Sequence, residues 1–451
     1  MDYQGKKVLV LGLARSGAAV ARLLTKHGAN VLVNDRKERE SFGRVPDELE
    51  TMGIQVVCGG HPEGIVSSDL DLVVKNPGIP YSAAPLQQAA ALGIPIVTEV
   101  EIAYQFSKAP IIGITGSNGK TTTTSLTGEI LRVANLRPVV AGNIGTALSE
   151  IIEDVTPDQW LVAELSSFQL MGTSSFRSRV GALLNVYQAH LDYHGTMEEY
   201  IAAKSRMFAN QTKEDTAVLN ADQRVVMELA ASIEGRIFPF SLTKSLDEGV
   251  FVKDESICIR SNGQDVQVCD VKEIPLKGAH NLENVLAAAA ITFSAGASPE
   301  AIREGILGFK GVEHRLEYVA EVNGVAYYND SKATNAEAAT RAITSFSNPV
   351  VLIAGGLDRG TDFAELIPVF QKHVKAIVTL GQSADKLAAA AEKAGIRERH
   401  RVGSIEEAVV KAASLAKAGD SVLLSPACAS WDMYTSFEER GRIFKKAVHT
   451  M

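Results

Sequence analysis

The chain has 451 residues, of which 46 % are hydrophobic and 22 % charged, and its formal net charge is −8. This length and composition predict two or three domains with large cores, and the acidic balance argues against a general surface for nucleic acid or anionic membranes. Residues 1–7 lead straight into a strand and no apolar run approaches a membrane span, so we expect neither a signal peptide nor a transmembrane helix. Cys58, Cys258, Cys269 and Cys428 form no Cys-x-x-Cys pair, which indicates reduced thiols in the cytoplasm and no zinc site.

The amino-terminal stretch has the order of a Rossmann-like domain. A buried parallel strand is predicted at 6–11, a glycine-rich turn at 12–17 and then a helix. Ala14 stands where a dinucleotide fingerprint has its middle glycine, so the motif is broken. Asp35, after a second strand at 31–33, is either a ligand of a ribose or base or a solvated loop acid. The other strands of this stretch are predicted at 55–58, 70–74 and 95–97, with a stiff turn at 76–80.

A phosphate-binding loop follows the first domain boundary, which we place near 107–110. Residues 111–123 run from an apolar strand through three glycines into Lys120, a row of threonines and a helix. In such a loop Lys120 reaches the β- and γ-phosphates and the Thr121 hydroxyl lies on a bound Mg²⁺. Ile114 occupies the position of the usual first glycine, so an ordinary glycine turn between strand and helix is the alternative.

The central stretch, up to about residue 310, carries polar groups at the ends of apolar strands. Glu164 ends a strand at 160–165, where it is either a Mg²⁺ ligand or a surface acid. His190 follows a strand at 180–186, and Lys204 lies on a helical pattern; the residues alone favour a structural histidine and a solvated lysine. The remaining elements are predicted as a helix at 197–208, a strand at 218–222, an antiparallel edge at 236–276 and a helix at 280–293.

Beyond a second boundary near 308–311, the pattern predicts another dinucleotide-fold-like α/β unit. Residues 317–328 read as two strands joined by Asn323-Gly324, and a polar run at 329–335 precedes a helix. Arg359 lies in a glycine-rich turn, where it either binds a small anion or merely belongs to the turn. Further strands are predicted at 350–354, 376–380 and 421–424.

These motifs resemble those of the Mur ligases of peptidoglycan synthesis, over nearly the whole chain. The resemblance rests on the loop 113–121, on Asn281 and Asn284, and on the His314-Arg315 pair. Within the family, four strings resemble members that add D-glutamate; they are 164–170, 329–335, 425–432 and 437–441. The Asp-Asn-Pro-Arg block of diamino-acid-adding relatives is absent from the sequence.

The resemblance implies an α/β protein of three domains. These are a Rossmann-like UDP-substrate domain at 1–108, a central P-loop ATPase domain at 109–310 and a Rossmann-like, amino-acid-binding domain at 311–451. It also implies an ATP-dependent amide ligase that joins D-glutamate to UDP-N-acetylmuramoyl-L-alanine through an acyl phosphate, releasing ADP and phosphate. We expect a cytoplasmic monomer whose partners are these small molecules, with no nucleic acid and no membrane.

The resemblance also assigns roles to individual residues. The implied catalytic residues are Lys120, Glu164, His190, Lys204 and Lys332. Phosphates of ATP are held by Gly116, Ser117, Asn118, Gly119, Lys120, Thr121, Thr122 and Thr123, and other parts of ATP by Asn281, Asn284, Arg315 and Asp330. One Mg²⁺ is held by Thr121 and Glu164 and a second by His190 and Lys204, with Lys204 carbamylated. The UDP-sugar end of the substrate contacts Ser16, Asp35, Arg36 and Gly78, the muramoyl-alanine contacts Asn143, and D-glutamate contacts Thr334, Arg359, Ser430 and Phe437.

Three other functions fit parts of the sequence. An NAD-dependent oxidoreductase would use the first domain, but the broken fingerprint and the second nucleotide loop argue against it. A P-loop switch would not need a third α/β domain with a cation-bearing turn. A related ligase with another acceptor, such as a folylpolyglutamate-type or L-alanine-adding enzyme, differs mainly in the strings between 425 and 441.

Overall fold

The computed structural model describes residues 2–143, 145–276 and 278–451, apart from the side chain of Asp192. Contacts divide the chain into two compact units. The first comprises 1–273 with 283–306, and the second comprises 274–282 with 307–451. In the described part of the chain, no helix is long and apolar enough to cross a membrane.

The amino-terminal part of the first unit is a five-stranded parallel sheet with the strand order β3-β2-β1-β4-β5. Strands β3, β2 and β1 have the order of one half of a Rossmann fold, and the chain then crosses over to place β4 and β5 on the other side of β1. This order confirms the Rossmann-like prediction. Its strands are β1 (Lys7–Leu11), β2 (Asn30–Asn34), β3 (Gln55–Val57), β4 (Leu72–Lys75) and β5 (Ile96–Thr98). Its helices are α1 (Arg15–Lys26), α2 (Val45–Thr51), α3 (Ala84–Ala91) and α4 (Glu99–Phe106).

A second parallel sheet, of six strands, carries the P-loop in the order β11-β10-β9-β6-β8-β7. Its strands are β6 (Ile111–Thr115), β7 (Pro138–Gly142), β8 (Trp160–Glu164), β9 (Val180–Leu183), β10 (Thr216–Leu219) and β11 (Arg236–Ile237). Its helices are α5 (Lys120–Val133), α6 (Leu148–Ile151), α7 (Ser167–Leu170), α8 (Leu191–His194), α9 (Met197–Ser205) and α10 (Arg224–Met227). The sequence analysis did not identify β7.

The prediction of an antiparallel edge at 236–276 is wrong in one respect. The strands after β11 form a separate four-stranded sheet, which is antiparallel except for the parallel pair β12–β13. These strands are β12 (Phe240–Ser241), β13 (Gly249–Lys253), β14 (Ser256–Ser261) and β15 (Gln264–Asp270). An alternating pattern predicts a strand but does not choose its partner, because pairing depends on contacts distant in sequence. Two helices follow, α11 (Ala279–Ser294) and α12 (Pro299–Gly308).

The carboxyl-terminal sheet of the second unit has the order β16-β17-β21-β18-β19-β20 and is parallel except for the β16–β17 hairpin. At the turn of this hairpin, Asn323 and Gly324 have φ angles of 52° and 76°, as a tight hairpin turn requires, so the predicted hairpin is confirmed. The strands are β16 (Glu317–Val322), β17 (Val325–Asn329), β18 (Val350–Gly355), β19 (Val374–Leu380), β20 (Glu398–Arg401) and β21 (Ser421–Leu424). The helices are α13 (Ala336–Thr344), α14 (Ile367–His373), α15 (Ala384–Lys393), α16 (Ile405–Leu415) and α17 (Phe437–His449).

Both faces of this last sheet are buried. Leu352 of β18 packs in one apolar cluster with residues of α13 to α15, and its neighbour Ile353 packs in another with residues of α16 and α17. A strand covered on both sides is expected to read as an uninterrupted apolar run, which is why 350–354 was recognisable in the sequence.

Candidate active site

The loop between β6 and α5 has the geometry of a phosphate cradle. Gly119 caps α5 in the left-handed region, with φ at 82°, and the Lys120 ammonium folds back to donate to the carbonyl oxygens of Gly116 (2.9 Å) and Ser117 (3.0 Å). The first-turn N–H groups of α5 begin at Lys120, where the helix dipole favours an anion. Ile114 lies within β6 and is buried, so the loop begins two residues later than the usual glycine spacing suggests.

Asn185 holds this loop from the end of β9. Its carbonyl oxygen accepts from the Ser117 N–H at 3.0 Å. Its side-chain Oδ1 accepts from the Asn118 N–H at 2.8 Å, and its Nδ2 donates to the Asn118 carbonyl at 3.2 Å. Sequence reasoning missed Asn185, because a single Asn after a strand carries no motif.

Glu164 ends β8 beside the loop, with Glu164 opposite Ile114 in the register of the two strands. Its side chain is 2 % exposed, and Oε1 accepts from Asn143 Nδ2 at 3.0 Å. Oε2 is buried and accepts no hydrogen bond from the described residues. A buried carboxylate oxygen without a donor suits a hard cation, and the buried Thr121 hydroxyl is an oxygen donor of the kind that Mg²⁺ takes.

Lys204 of α9 is buried, contrary to the solvated lysine that the helix pattern favours. It is 1 % exposed, donates to the Gly116 carbonyl at 2.9 Å and lies 4.6 Å from the centre of the Tyr200 ring. Burial, and secondarily the charge of Lys120, lowers the pKa of Lys204 to about 6. A large fraction of this amine is therefore neutral at pH 7.

His190 is exposed and caps α8 in the left-handed region, with φ at 57°. Its ring packs edge-on against Phe168, with 5.1 Å between the ring centres. Among the described residues there is no cluster of three or more His, Cys, Asp or Glu side chains that could hold a metal ion. A second cation beside His190 would therefore need a further ligand.

The predicted ATP residues fall into both units. In the first, Asn284 Oδ1 accepts from the buried Thr123 hydroxyl at 3.4 Å, and Thr122 is also buried. Asn281 is on the same helix α11 but belongs to the segment 274–282 of the second unit, and it is 7 % exposed.

In the second unit, Asp330 is buried at the end of β17. Its carboxylate accepts from the Leu316 N–H at 3.1 Å and from the Ser425 hydroxyl at 2.9 Å. Burial raises the pKa of Asp330 to about 7; the hydrogen bonds and the nearby charge of Arg315 oppose this shift.

The predicted UDP-sugar residues gather at the carboxyl ends of β1, β2 and β4. Asp35 accepts from the N–H groups of Leu13 (2.7 Å) and Lys37 (2.9 Å), so its carboxylate also orders two turns. Asn76, which the sequence analysis did not single out, donates to Ser16 Oγ at 3.3 Å and accepts from the Gly78 N–H at 3.2 Å. The Arg36 side chain is exposed. This is the sheet edge where open α/β folds bind ligands.

The predicted D-glutamate residues lie at the corresponding edge of the carboxyl-terminal sheet. Ser430 is 2 % exposed, and its hydroxyl is buried without a hydrogen-bond partner among the described residues. Arg359 stacks on Trp431, with 5.3 Å from Cζ to the ring centre, and Lys332 Nζ lies 5.5 Å from the centre of the Phe437 ring. Thr334 is half-buried just before α13.

Arg440 organises this edge, although the sequence analysis gave it no role. It is 1 % exposed and donates to the carbonyls of Ser331 (2.8 Å), Cys428 (3.1 Å) and Gly355 (3.3 Å). One guanidinium thus joins the end of β18 to the segments that follow β17 and β21.

The loop geometry is that of a P-loop nucleotide-binding protein, with Glu164 at the end of the neighbouring strand and Lys204 of α9 against the loop. Three family models match successive parts of the chain. They are the Mur ligase MurD-like N-terminal domain at 6–98, the Mur ligase middle domain at 114–292, and the Mur ligase glutamate ligase domain at 314–428. The chain belongs to the Mur ligase family.

Curated relatives match over the full length. The UDP-N-acetylmuramoylalanine–D-glutamate ligase of Bacillus cereus (strain G9842) is 53 % identical over 450 residues, covering 100 % of this chain and 99 % of that protein. The protein of the same name from Geobacillus kaustophilus (strain HTA426) is also 53 % identical, covering 100 % of this chain and 98 % of that protein.

Solved structures of more distant Mur ligases share the fold. MurF from Acinetobacter baumannii matches with a TM-score of 0.58 at 19 % identity, covering 99 % of this chain and 92 % of that one. UDP-N-acetylmuramate-alanine ligase MurC from Thermotoga maritima matches with a TM-score of 0.57 at 18 % identity, covering 98 % and 99 %. At such identity the similarity concerns the fold alone.

Proposed function

We propose that this chain is an ATP-dependent ligase that adds D-glutamate to UDP-N-acetylmuramoyl-L-alanine in peptidoglycan precursor synthesis. The observation that carries the proposal is full-length similarity, at 53 % identity, to relatives named for that activity. The P-loop geometry supports it independently, because it supplies a place for the triphosphate.

The proposed reaction has two steps. The substrate carboxylate attacks the γ-phosphorus of ATP, so that a new O–P bond forms and ADP leaves. The amine of D-glutamate then attacks the acyl carbon, phosphate leaves and the nitrogen loses a proton, which gives the amide. Both steps bring negative groups together, so cations and inward-facing N–H groups are needed.

We propose that residues Gly116 to Thr123 bind the triphosphate, with Lys120 on its terminal phosphates. Thr121 and Glu164 would hold one Mg²⁺, which when bound would neutralise charge on the phosphates. The orphaned Oε2 of Glu164 supports this assignment. Asn281, Asn284, Arg315 and Asp330 are proposed to contact ATP, and Lys332 the transferred phosphate.

We propose that Lys204 becomes a carbamate that, with His190, holds a second Mg²⁺. A neutral amine adds CO₂ and loses one proton to give a carbamate anion, and burial keeps much of Lys204 neutral at pH 7. After incubation with ¹³C-bicarbonate we expect a carbamate signal in the NMR spectrum of the wild-type protein and none in Lys204→Met. A spectrum without that signal would remove the second Mg²⁺ site as proposed.

For the substrates, we propose that the UDP-sugar binds at Ser16, Asp35, Arg36 and Gly78 and the muramoyl-alanine at Asn143. D-Glutamate would bind at Thr334, Arg359, Ser430 and Phe437; the orphaned Ser430 hydroxyl supports this site. The division into domains at 1–108, 109–310 and 311–451, the monomeric state and the cytoplasmic location are part of the same proposal.

The test is phosphate release with ATP, UDP-N-acetylmuramoyl-L-alanine and one amino acid at a time. We expect turnover with D-glutamate and little with L-glutamate or L-alanine. Equal rates with L-alanine would overturn the assignment of the acceptor.

A further inference from the structure

The exposed indole of Trp431 has a single aromatic–cation contact in the described structure, and that contact is with Arg359. Trp431 is 66 % exposed. The Arg359 Cζ lies 5.3 Å from the ring centre, within the range of a cation–π interaction. We propose that Trp431 is a positioning residue that holds the Arg359 guanidinium for a carboxylate of D-glutamate. This inference deepens the proposed function and rests on it.

The backbone brings the two side chains together. The Leu357 N–H donates to the Ala429 carbonyl at 2.9 Å, and Arg359 and Trp431 each lie two residues beyond this bond. A Cβ on Gly356 would lie 2.2 Å from the same carbonyl oxygen, so only glycine allows so close an approach.

Two further contacts fix the segments that carry the pair. Arg440 joins them from the interior by donating to the carbonyls of Gly355 and Cys428. Asp432 accepts from the Gln382 N–H at 2.9 Å, which anchors the chain directly after Trp431. The stacked arrangement is thus built by the fold on both sides of the contact.

The charge of Arg359 remains available to a ligand. Its neighbour Asp358 is engaged by Lys386 at 2.7 Å and by the Gly360 N–H at 2.8 Å. No ion pair joins Arg359 to a carboxylate of the described residues, and its Cζ lies over the indole ring. The N–H groups of a guanidinium can take a carboxylate in two parallel hydrogen bonds.

The assignment of the ligand carboxylate to the incoming amino acid rests on the proposed function, which places Ser430 and Arg359 at the same site. The Ser430 hydroxyl is buried without a partner among the described residues, and it precedes Trp431 directly in the chain. Trp431 thus lies next to Ser430 in the chain and against Arg359 in space, and both of these residues belong to the proposed D-glutamate site.

The experiment compares full-length wild type with Trp431→Ala and Trp431→Phe by phosphate release at varied D-glutamate. We expect Trp431→Ala to raise KM for D-glutamate about two- to five-fold, the scale of an exposed cation–π contact, and Trp431→Phe to raise it less. The kcat and the KM values for ATP and for the UDP-substrate should stay unchanged. Val410→Ala is the matched control, because Val410 is a similarly exposed apolar residue, 64 % accessible, on α16.

A double-mutant comparison separates positioning from simple surface loss. On an Arg359→Ala background, adding Trp431→Ala should change KM for D-glutamate by less than about 1.5-fold, since the partner is already gone. An equal rise on both backgrounds, or an unchanged KM in Trp431→Ala, would overturn the inference while leaving the proposed function intact. Absence of D-glutamate turnover in the wild type would instead overturn the proposed function, and the inference with it.

Fluorescence gives a readout that does not need turnover. The chain has two tryptophans, Trp160 and Trp431, so Trp160→Phe leaves Trp431 as the single emitter. With the UDP-substrate and ADP present, we expect D-glutamate to change this emission with a midpoint near its KM, and the change to disappear in Arg359→Ala. If saturating D-glutamate does not change the emission, the placement of Trp431 at the D-glutamate site is contradicted.

Discussion

Lys120 and Lys204 share an acceptor, yet their surroundings give them different chemistry. Both ammonium groups donate to the Gly116 carbonyl at 2.9 Å. Lys120 is half-buried at the mouth of the loop, whereas Lys204 is buried and its pKa falls to about 6. Because a low dielectric penalises the charged form, burial shifts Lys204 toward the neutral amine, whereas we propose that Lys120 acts as a cation.

Replacing Lys120 with Ala should lower kcat by roughly 10²- to 10³-fold, as for other groups that stabilise charge in a transition state. Lys108→Ala is the control, because Lys108 is exposed in the same unit. Phosphate release measures the effect, and thermal unfolding shows that the fold is kept. A rate within two-fold of the wild type would exclude the loop lysine from the mechanism.

Replacing Lys204 with Met should stabilise the protein at pH 7 in bicarbonate-free buffer. In the unfolded chain Lys204 stays protonated up to its ordinary pKa of 10.5, whereas in the folded chain it loses its proton above about 6. The unfolded state therefore binds more protons between these values, and wild-type stability rises with pH across that window.

The advantage of Lys204→Met should accordingly shrink between pH 7 and pH 9, by at most about 1.4 kcal/mol per pH unit. Thermal unfolding at the two pH values measures this difference. Lys213→Met, at an exposed position, should show no such pH dependence. A difference that does not change between pH 7 and pH 9 would show that Lys204 stays charged in the folded protein.

The strand–loop–helix formed by β6 and α5 depends on one glycine conformation. Gly119 has φ at 82°, and a Cβ there would lie 2.1 Å from Asn284 Oδ1. The element therefore needs glycine both for its backbone and for the packing of a residue distant in sequence. Its sequence is recognisable because the same glycines that allow the turn also leave N–H groups facing the ligand.

Gly119→Ala should raise KM for ATP and lower the free energy of unfolding by about 1–3 kcal/mol, the usual cost of a strained backbone position. Gly308→Ala provides the comparison, since no atom lies within 4 Å of its added Cβ and its φ is not positive. Steady-state kinetics at varied ATP and thermal melts measure both effects. Kinetics like those of Gly308→Ala would contradict the packing against Asn284.

The sequence predicts three α/β domains. In the structure, the amino-terminal sheet and the central P-loop sheet belong to one compact unit. A single apolar cluster includes Val10 and Val20 beside the first sheet and Leu161 and Phe176 of the central part. Glu101 of α4 adds polar contacts between the amino-terminal and central parts of this unit. Its buried carboxylate accepts hydrogen bonds from the N–H groups of Ser174 (2.8 Å), Ser175 (3.0 Å) and Phe176 (3.1 Å).

Glu101→Gln should destabilise the first unit by about 2–3 kcal/mol at pH 7, because an amide cannot accept all these buried donors. Burial would raise the pKa of Glu101, but the hydrogen bonds from Ser175 and from the backbone outweigh it and lower the pKa. The stabilisation is thus complete above the ordinary pKa of 4.5 and is lost as the pH falls through the lowered value.

Urea unfolding of wild type and Glu101→Gln at pH 7 and pH 4 tests the contribution of these hydrogen bonds. The difference in the free energy of unfolding between wild type and Glu101→Gln should be smaller at pH 4 than at pH 7. Glu63→Gln, on an exposed loop, should leave the free energy of unfolding unchanged at both pH values. A difference that is independent of pH would show that the charge of Glu101 does not hold the two sheets together.

Local patterns of residue type were sufficient to predict the segments whose chemistry depends on neighbouring residues. The loop 113–121 could be predicted because glycine, lysine and threonine must be close in sequence to bind phosphate. The turn at Asn323-Gly324 could be predicted because a tight hairpin turn needs positive φ angles at both residues. The continuous apolar run at 350–354 predicted a buried strand, and the structure has β18 there.

The burial and hydrogen bonding of the polar groups depend on contacts between segments that are distant in the chain. Asn185 reaches Asn118 across 67 residues and Lys204 reaches Gly116 across 88, so neither contact leaves a periodic trace in the sequence. The separate sheet formed by β12 to β15 and the stacking of Arg359 on Trp431 are of the same kind. Burial and contacts between distant segments determine the pKa of a buried group and whether a charged side chain is available to a ligand. Local patterns of residue type do not show which segments will be in contact.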